Sequence, residues 1–214
     1  MGGFDLIYII KLLPGIVLGF TVHEYMHAKV AYLLGDSTAK DQGRVTLDPL
    51  KHIDWFGFLF IILAGFGWAK PVQIDRRSLK DPRRDEMLIS VAGPLSNLVL
   101  GFICAIIIKA LIIYSPDSAD RTYSGIQEIL TYAVFINYGL FTFNMLPIPP
   151  LDGSHILFNT INISEETQYA IFKYGTWVLF AVIIIQNQTQ LNILPLDKVI
   201  KSLVQFTFNV IGLN

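Results

Sequence analysis

The feature that most constrains this chain is where its charges are missing. Residues 87–108 run for 22 positions without an Asp, Glu, Lys or Arg, and residues 129–151 and 174–196 run for 23 each. An α-helix rises about 1.5 Å per residue, so about 20 apolar residues cross the roughly 30 Å hydrocarbon layer of a bilayer. Each run is long enough to span, and helices are tolerated in lipid because they satisfy their own backbone.

The N-terminal stretch, residues 6–34, is apolar apart from Lys11, Lys29 and the group His23, Glu24 and His27. It has the length of a full span, and neither a basic leader nor a small-residue cleavage site marks it as a signal peptide. Residues 55–69 form a shorter apolar run with Gly57, Gly65 and Gly67. That length and those glycines suit a re-entrant or interfacial segment near residues 55–72. The last stretch, 199–213, is short enough to lie flat at the interface. The expected fold is therefore an all-α polytopic membrane protein, a bundle of about four to five transmembrane helices. No repeat or linker divides it, so residues 1–214 read as one integral-membrane domain.

Composition excludes other classes. Charged residues are 15% of the chain against 53% hydrophobic, and the formal net charge is −1. A nucleic-acid partner would call for a basic surplus, and a disordered chain for more charge. The single cysteine, Cys104, excludes an internal disulfide framework. It lies among Ile, Ala and Phe with no electropositive neighbour to activate it, so it reads as packing. Residues 69–86 hold six of the sixteen Lys and Arg, whereas the loop 115–127 holds only Arg121. Positive-inside counting then places residues 35–86 on the cytoplasmic side of the cell membrane, with that loop and the N-terminus outside.

His23-Glu24-Tyr25-Met26-His27 has the form H-E-x-x-H. On a helix, positions i and i+4 share a face, so both imidazoles can bind one cation while the glutamate takes a proton from metal-bound water. With 4 His and 5 Glu in 214 positions, chance supplies about 0.002 such matches. Three ionisable groups on neighbouring turns of a span are costly unless something compensates them, and a divalent metal does so. A catalytic zinc takes a third protein ligand, here His52, His155 or a carboxylate. Asp152 stands out among these. It ends the first 23-residue run, and Pro147, Pro149 and Pro150 break the helix just before it.

His23-Glu24-x-x-His27, Ala92-Gly93-Pro94-Leu95-Ser96-Asn97 and Asn144-x-x-Pro147-x-Pro149-x-x-Asp152-Gly153, in this order, resemble the site-2 protease family of intramembrane zinc metalloproteases. The resemblance covers about residues 15–160, with further membrane segments expected over 161–214. It implies one Zn²⁺ per chain held by His23, His27 and Asp152, with Glu24 as general base. It also implies that Asn144 contacts the substrate or its developing oxyanion, whereas Asn97, polar in an apolar run, reads equally as a helix-helix hydrogen bond or as a substrate contact. The expected partner is a transmembrane protein substrate within the lipid bilayer, cut near the cytoplasmic side. The pattern is that of a compact member without a PDZ or regulatory domain. His52 reads as a loop residue, and His155 as a neighbour of the site. A metal transporter or sensor using the same His/His/Asp set is the rival reading, and a structural scaffold a second one.

Overall fold

The uncharged runs fold largely as helices that begin before them: 87–108 lies wholly within the helix Pro82–Tyr114, whereas the helices over 129–151 and 174–196 end at Asn144 and Thr189. The structure, a computed structural model, describes residues 6–64, 67–114, 121–161, 163–189 and 191–213. Positions 115–120 of the expected outward loop, and Gly65 of the glycine-bearing segment, lie outside the described residues. Helix α1 spans Leu6–Leu33, followed by a single turn, α2, at Thr38–Asp41. Helix α3 is Trp55–Ala64 and α4 is Pro82–Tyr114. Helix α5 runs Arg121–Asn144, α6 Asp152–Thr160, α7 Glu165–Thr189 and α8 Leu196–Ile211. Among the described residues there is no β-strand, only one isolated bridge.

Among the described residues three helices are long and apolar enough to cross a membrane: α1, α4, and Glu166–Gln186 within α7. At 33 residues α4 is about 50 Å long, so its charged first turns extend past the hydrocarbon. Helix α5 carries Asn137, Thr142 and Asn144 and is packed among α1, α4 and α8. A helix covered by protein on several sides needs no continuous apolar surface.

Helices α1, α4 and α5 pack on one another and form the centre of the fold. Where α4 meets α5, a Cβ at Gly101 would collide with the ring of Tyr138. Small residues let helix backbones approach closely, which matters in lipid because the tails are as apolar as any side chain. Cys104, Ala105, Ile108, Ala133, Val134, Tyr138 and Val204 fill the space between α4, α5 and α8. The outer face of α4 presents Leu95, Val99, Phe102, Ile103 and Ile106, whereas Asn97 and Asn137 are fully buried. Water as the only solvent would oppose that arrangement; a bilayer favours it.

The last helix departs from the flat interfacial segment expected for 199–213. It packs along α5 and α4. Its apolar face buries Val204 and Thr207, and Thr207 Oγ1 lies 2.6 Å from the Tyr138 hydroxyl. Lys109 of α4 donates to the carbonyl of Ile211 at its C-terminus, where a cation also complements the helix dipole.

The described residues of the segment with the glycines fold back closely on themselves. Asp54 starts α3 by accepting from the Gly57 amide at 2.9 Å, the usual role of an Asp before a first helical turn. The chain then returns so closely that a Cβ at Gly57 would strike the Trp68 carbonyl, and one at Gly67 the Gly57 carbonyl. An antiparallel bridge from Ile53 to Ala69 and a 2.8 Å bond from the Lys70 amide to the His52 carbonyl close the hairpin.

Gly101→Ala is expected to lower thermal stability by about 1–3 kcal/mol, the range for overpacking a filled core. Gly125→Ala, where an added methyl meets open space, is expected to be neutral or slightly stabilising. Thermal unfolding in detergent compares the two.

Candidate metal centre

Helix α1 carries His23 and His27 one turn apart, both buried. Each imidazole is held from behind. His27 Nδ1 lies 2.7 Å from the Ile89 carbonyl, which can only accept, so Nδ1 carries the hydrogen. His23 Nδ1 lies 2.6 Å from Asn97 Oδ1. The Asn97 amide group donates to the Gly19 carbonyl and to Asn137 Oδ1, both at 3.0 Å, and Asn137 Nδ2 donates to the Ala133 carbonyl at 2.8 Å. That chain fixes which atom of Asn97 faces the histidine, and His23 Nδ1 must donate to it.

Both Nε2 atoms then present lone pairs, and they face each other at 3.0 Å. Asp152 closes the group, with Oδ2 at 3.2 Å from His23 Nε2 and Oδ1 at 3.4 Å from His27 Nε2. Asp152 Oδ2 is buried and has no hydrogen-bond partner. With both Nδ1 hydrogens turned away, the two Nε2 atoms and the two Asp152 oxygens converge on one point, an arrangement that repels itself unless a cation, a metal ion or a proton, sits there. The ligand atoms of His23, His27 and Asp152 lie within 4.8 Å of one another. Two imidazoles and a carboxylate form a donor set that suits zinc with a coordination position left open. Gly93 of α4 keeps the space clear: a Cβ there would sit 2.8 Å from His23 Nε2 and closer still to His27 Nε2.

Asp152 reaches this point because the helix preceding it is broken. Helix α5 stops at Asn144, three prolines follow, and the chain re-enters a helix with Asp152 at its first position. A Cβ at Gly153 would collide with the carbonyls of Met145 and Leu146, so the turn folds directly onto the end of α5. Helix α6 is tied to α4 through Glu86, which meets His155 Nδ1 at 3.2 Å and Asn159 Nδ2 at 3.0 Å. Arg76 Nε joins the same carboxylate at 3.1 Å.

Glu24 is buried beside the histidines, and its Oε2 accepts the Val72 amide at 3.0 Å. Arg44 Nη2 stands 3.9 Å from the same oxygen and donates to the Lys70 carbonyl at 2.6 Å, while Nη1 reaches the Pro71 carbonyl at 3.3 Å. Burial draws the Arg44 guanidinium below its ordinary range, and Glu24 opposes the shift.

The structure thus brings together His23, Glu24, His27 and Asp152. Asn97, for which a helix-helix hydrogen bond and a substrate contact were both open, is fully buried with both its donors engaged by neighbouring helices; in this geometry it holds His23. Asn144 ends α5, half-buried, with Nδ2 donating to the Leu140 carbonyl at 3.0 Å. His52 is a buried loop residue, Nε2 at 2.7 Å from the Thr46 carbonyl, and burial lowers its pKa. His155 serves Glu86. Asn137, Arg44 and Val72 were not singled out by the sequence, and Gly93 entered only as a member of the Ala92–Asn97 motif. Only Asn137, polar within an uncharged run, offered a signal there.

Replacing Asn97 by Leu is expected to weaken metal binding about 10- to 100-fold, the usual effect of losing a group that orients a metal-bound histidine. Competition with a chelator measures it, and an unchanged affinity would show that the Asn97 contact is dispensable.

A model of peptidase family M50 matches residues 110–185, a stretch that includes the Asn144–Gly153 motif. YwhC of Bacillus subtilis, named as a candidate zinc metalloprotease, is 39% identical over 184 residues, covering 84% of each chain. Rip2 of Mycolicibacterium smegmatis, named in the same way, is 30% identical over 190 residues, covering 86% of this chain and 69% of its own. MJ0611 of Methanocaldococcus jannaschii, likewise, is 32% identical over 154 residues, covering 71% of each. No solved structure matches the chain. Motifs first read by spacing, a converged His/His/Asp group and relatives aligned over most of their length agree: the chain belongs to peptidase family M50, the site-2 protease family of metalloproteases.

Proposed function

We propose that this protein is a zinc-dependent intramembrane endopeptidase that hydrolyses a peptide bond in or near a transmembrane segment of another membrane protein. The observation that carries this reading is the set of inward-facing lone pairs of His23, His27 and Asp152 with the Glu24 carboxylate next to them. The chemistry a bound zinc supplies is Lewis acidity, which polarises a carbonyl and lowers the pKa of water to about 7. His23, His27 and Asp152 hold the ion, one per chain. Glu24 accepts a proton from the attacking water and returns it to the leaving amine, as general base and then acid. Asn97 keeps His23 in its ligating tautomer. Asn144 engages one amide hydrogen with Leu140, and the second is free to meet a substrate carbonyl.

Depth supports the choice of substrate. His27 lies six residues from the end of α1 and His23 ten, about 9 and 15 Å along the axis. A water-using site at that depth serves peptide bonds that lie in the membrane. Residues 35–86, at this end of α1, form the cytoplasmic face of the cell-membrane protein in this reading, as their basic residues favour. Family membership favours hydrolysis over metal transport.

Glu24→Gln is expected to retain metal and lose cleavage of a transmembrane substrate by about 10²- to 10⁴-fold, the scale of general acid–base catalysis. Cleavage that survives with metal retained would remove Glu24 from its role. For orientation, a single cysteine at Arg77, whose side chain is 90% exposed, is introduced in a Cys104→Ser background. It should react with an impermeant reagent only from the cytoplasmic side; labelling of intact cells would reverse the topology.

A further inference from the structure

We infer that Arg44 is a positioning residue that latches the extended segment 69–75 across Glu24, so that the Val72 amide holds the carboxylate in its working orientation. The inference rests on the protease reading above and extends it to residues outside the known motifs.

The segment is fastened along its whole length. At one end Ala69 bridges Ile53, and the Lys70 amide donates to the His52 carbonyl at 2.8 Å. At the other, the Asp75 amide donates at 2.8 Å to Oδ2 of the fully buried Asp36, whose Oδ1 accepts from Thr38 at 2.9 Å. Between these ends two hooks hold the middle: Arg44 on the carbonyls of Lys70 and Pro71, and Glu24 on the amide of Val72.

Arg44 has no ordinary reason to be where it is. Its side chain is only 4% exposed, its Nε is buried without a partner, and burying a guanidinium is unfavourable unless its donors are used. Its used donors all point at the segment or at Glu24. A carboxylate that shuttles a proton must present one oxygen consistently. With Oε2 fixed by Val72, Oε1 is the oxygen that meets the water. The latch therefore acts on turnover through Glu24 rather than on metal retention, since neither Arg44 nor Val72 supplies an atom to the group His23, His27 and Asp152.

The test removes one hydrogen at a time. Val72→Pro deletes the N–H donated to Glu24, and Val72→Ala, which keeps it, sets the baseline for losing the side chain. With a transmembrane substrate and full-length protein in detergent, Val72→Pro should lower kcat about 10- to 100-fold below that baseline, the effect of losing a hydrogen bond to a charged group. KM and metal content should not change. Amide exchange at Val72 in the purified protein gives a second readout: Arg44→Gln and Glu24→Ala should each speed it by about 10-fold or more. Equal kcat in the two Val72 variants, or exchange unaltered by Arg44→Gln, overturns the inference. A raised KM with normal kcat also overturns it, because the segment would then be a substrate-binding edge. If the wild type itself cleaves nothing, the protease reading fails, and amide exchange still decides whether the latch exists.

Discussion

Everything around the metal centre follows from holding two imidazoles with their bare Nε2 atoms facing each other. At 3.0 Å that contact is unfavourable without a cation, and each ring must be prevented from turning its Nδ1 hydrogen inward. The Ile89 carbonyl does this for His27 and Asn97 for His23. Asn97 succeeds only because Gly19 and Asn137 use its donors. The tautomer of one ligand is thereby set by a hydrogen-bonded chain through α1, α4 and α5, the three helices that also form the centre of the bundle. Removing protein support for any member would leave a polar group unpaired in an apolar medium, where that is most costly.

The bilayer explains why these polar contacts are inside. A helix bundle in lipid gains little from burying Leu against Leu, since the surroundings are equally apolar. Close backbone approach at Gly101 and buried amides at Asn97 and Asn137 take over the role of specifying which faces meet. The same residues that select the fold position the site, so stability and metal binding share parts. Mutations at Asn137 should consequently resemble mutations of a ligand more than mutations of a core residue.

Around that rigid centre the loop end is built from backbone fastened by charged groups. Asp36 and Arg44 tie carbonyls and amides of residues 70–75 to the ends of α1 and α2. Glu86 ties α6 to α4 through His155 and Asn159, and Arg76 adds to that carboxylate from the loop. Each is an ionisable side chain satisfying neighbouring polar groups. One set fastens the segment whose Val72 amide meets Glu24, and the other fastens the helix that begins with Asp152.

Much of this was legible in the chain itself. Uncharged stretches of 22 and 23 residues dictate helices because lipid admits little else. The i, i+4 spacing of His23 and His27 puts them on one face because the helix repeats every 3.6 residues. Both follow from local geometry, and the close return of the chain at Gly57 and Gly67 does so nearly as well. What tertiary structure alone decided depends on contacts between residues far apart in sequence. Helix α8 packed onto α5 and α4 because its amphipathic face met Tyr138, a partner no local pattern names. Asn97, polar within an apolar run, left a helix-helix bond and a substrate contact equally open, and only the positions of Gly19 and Asn137, which engage both its donors, decide between them. Arg44 and Val72 bear no motif, because their part is played through backbone atoms, and backbone atoms are the same at every position.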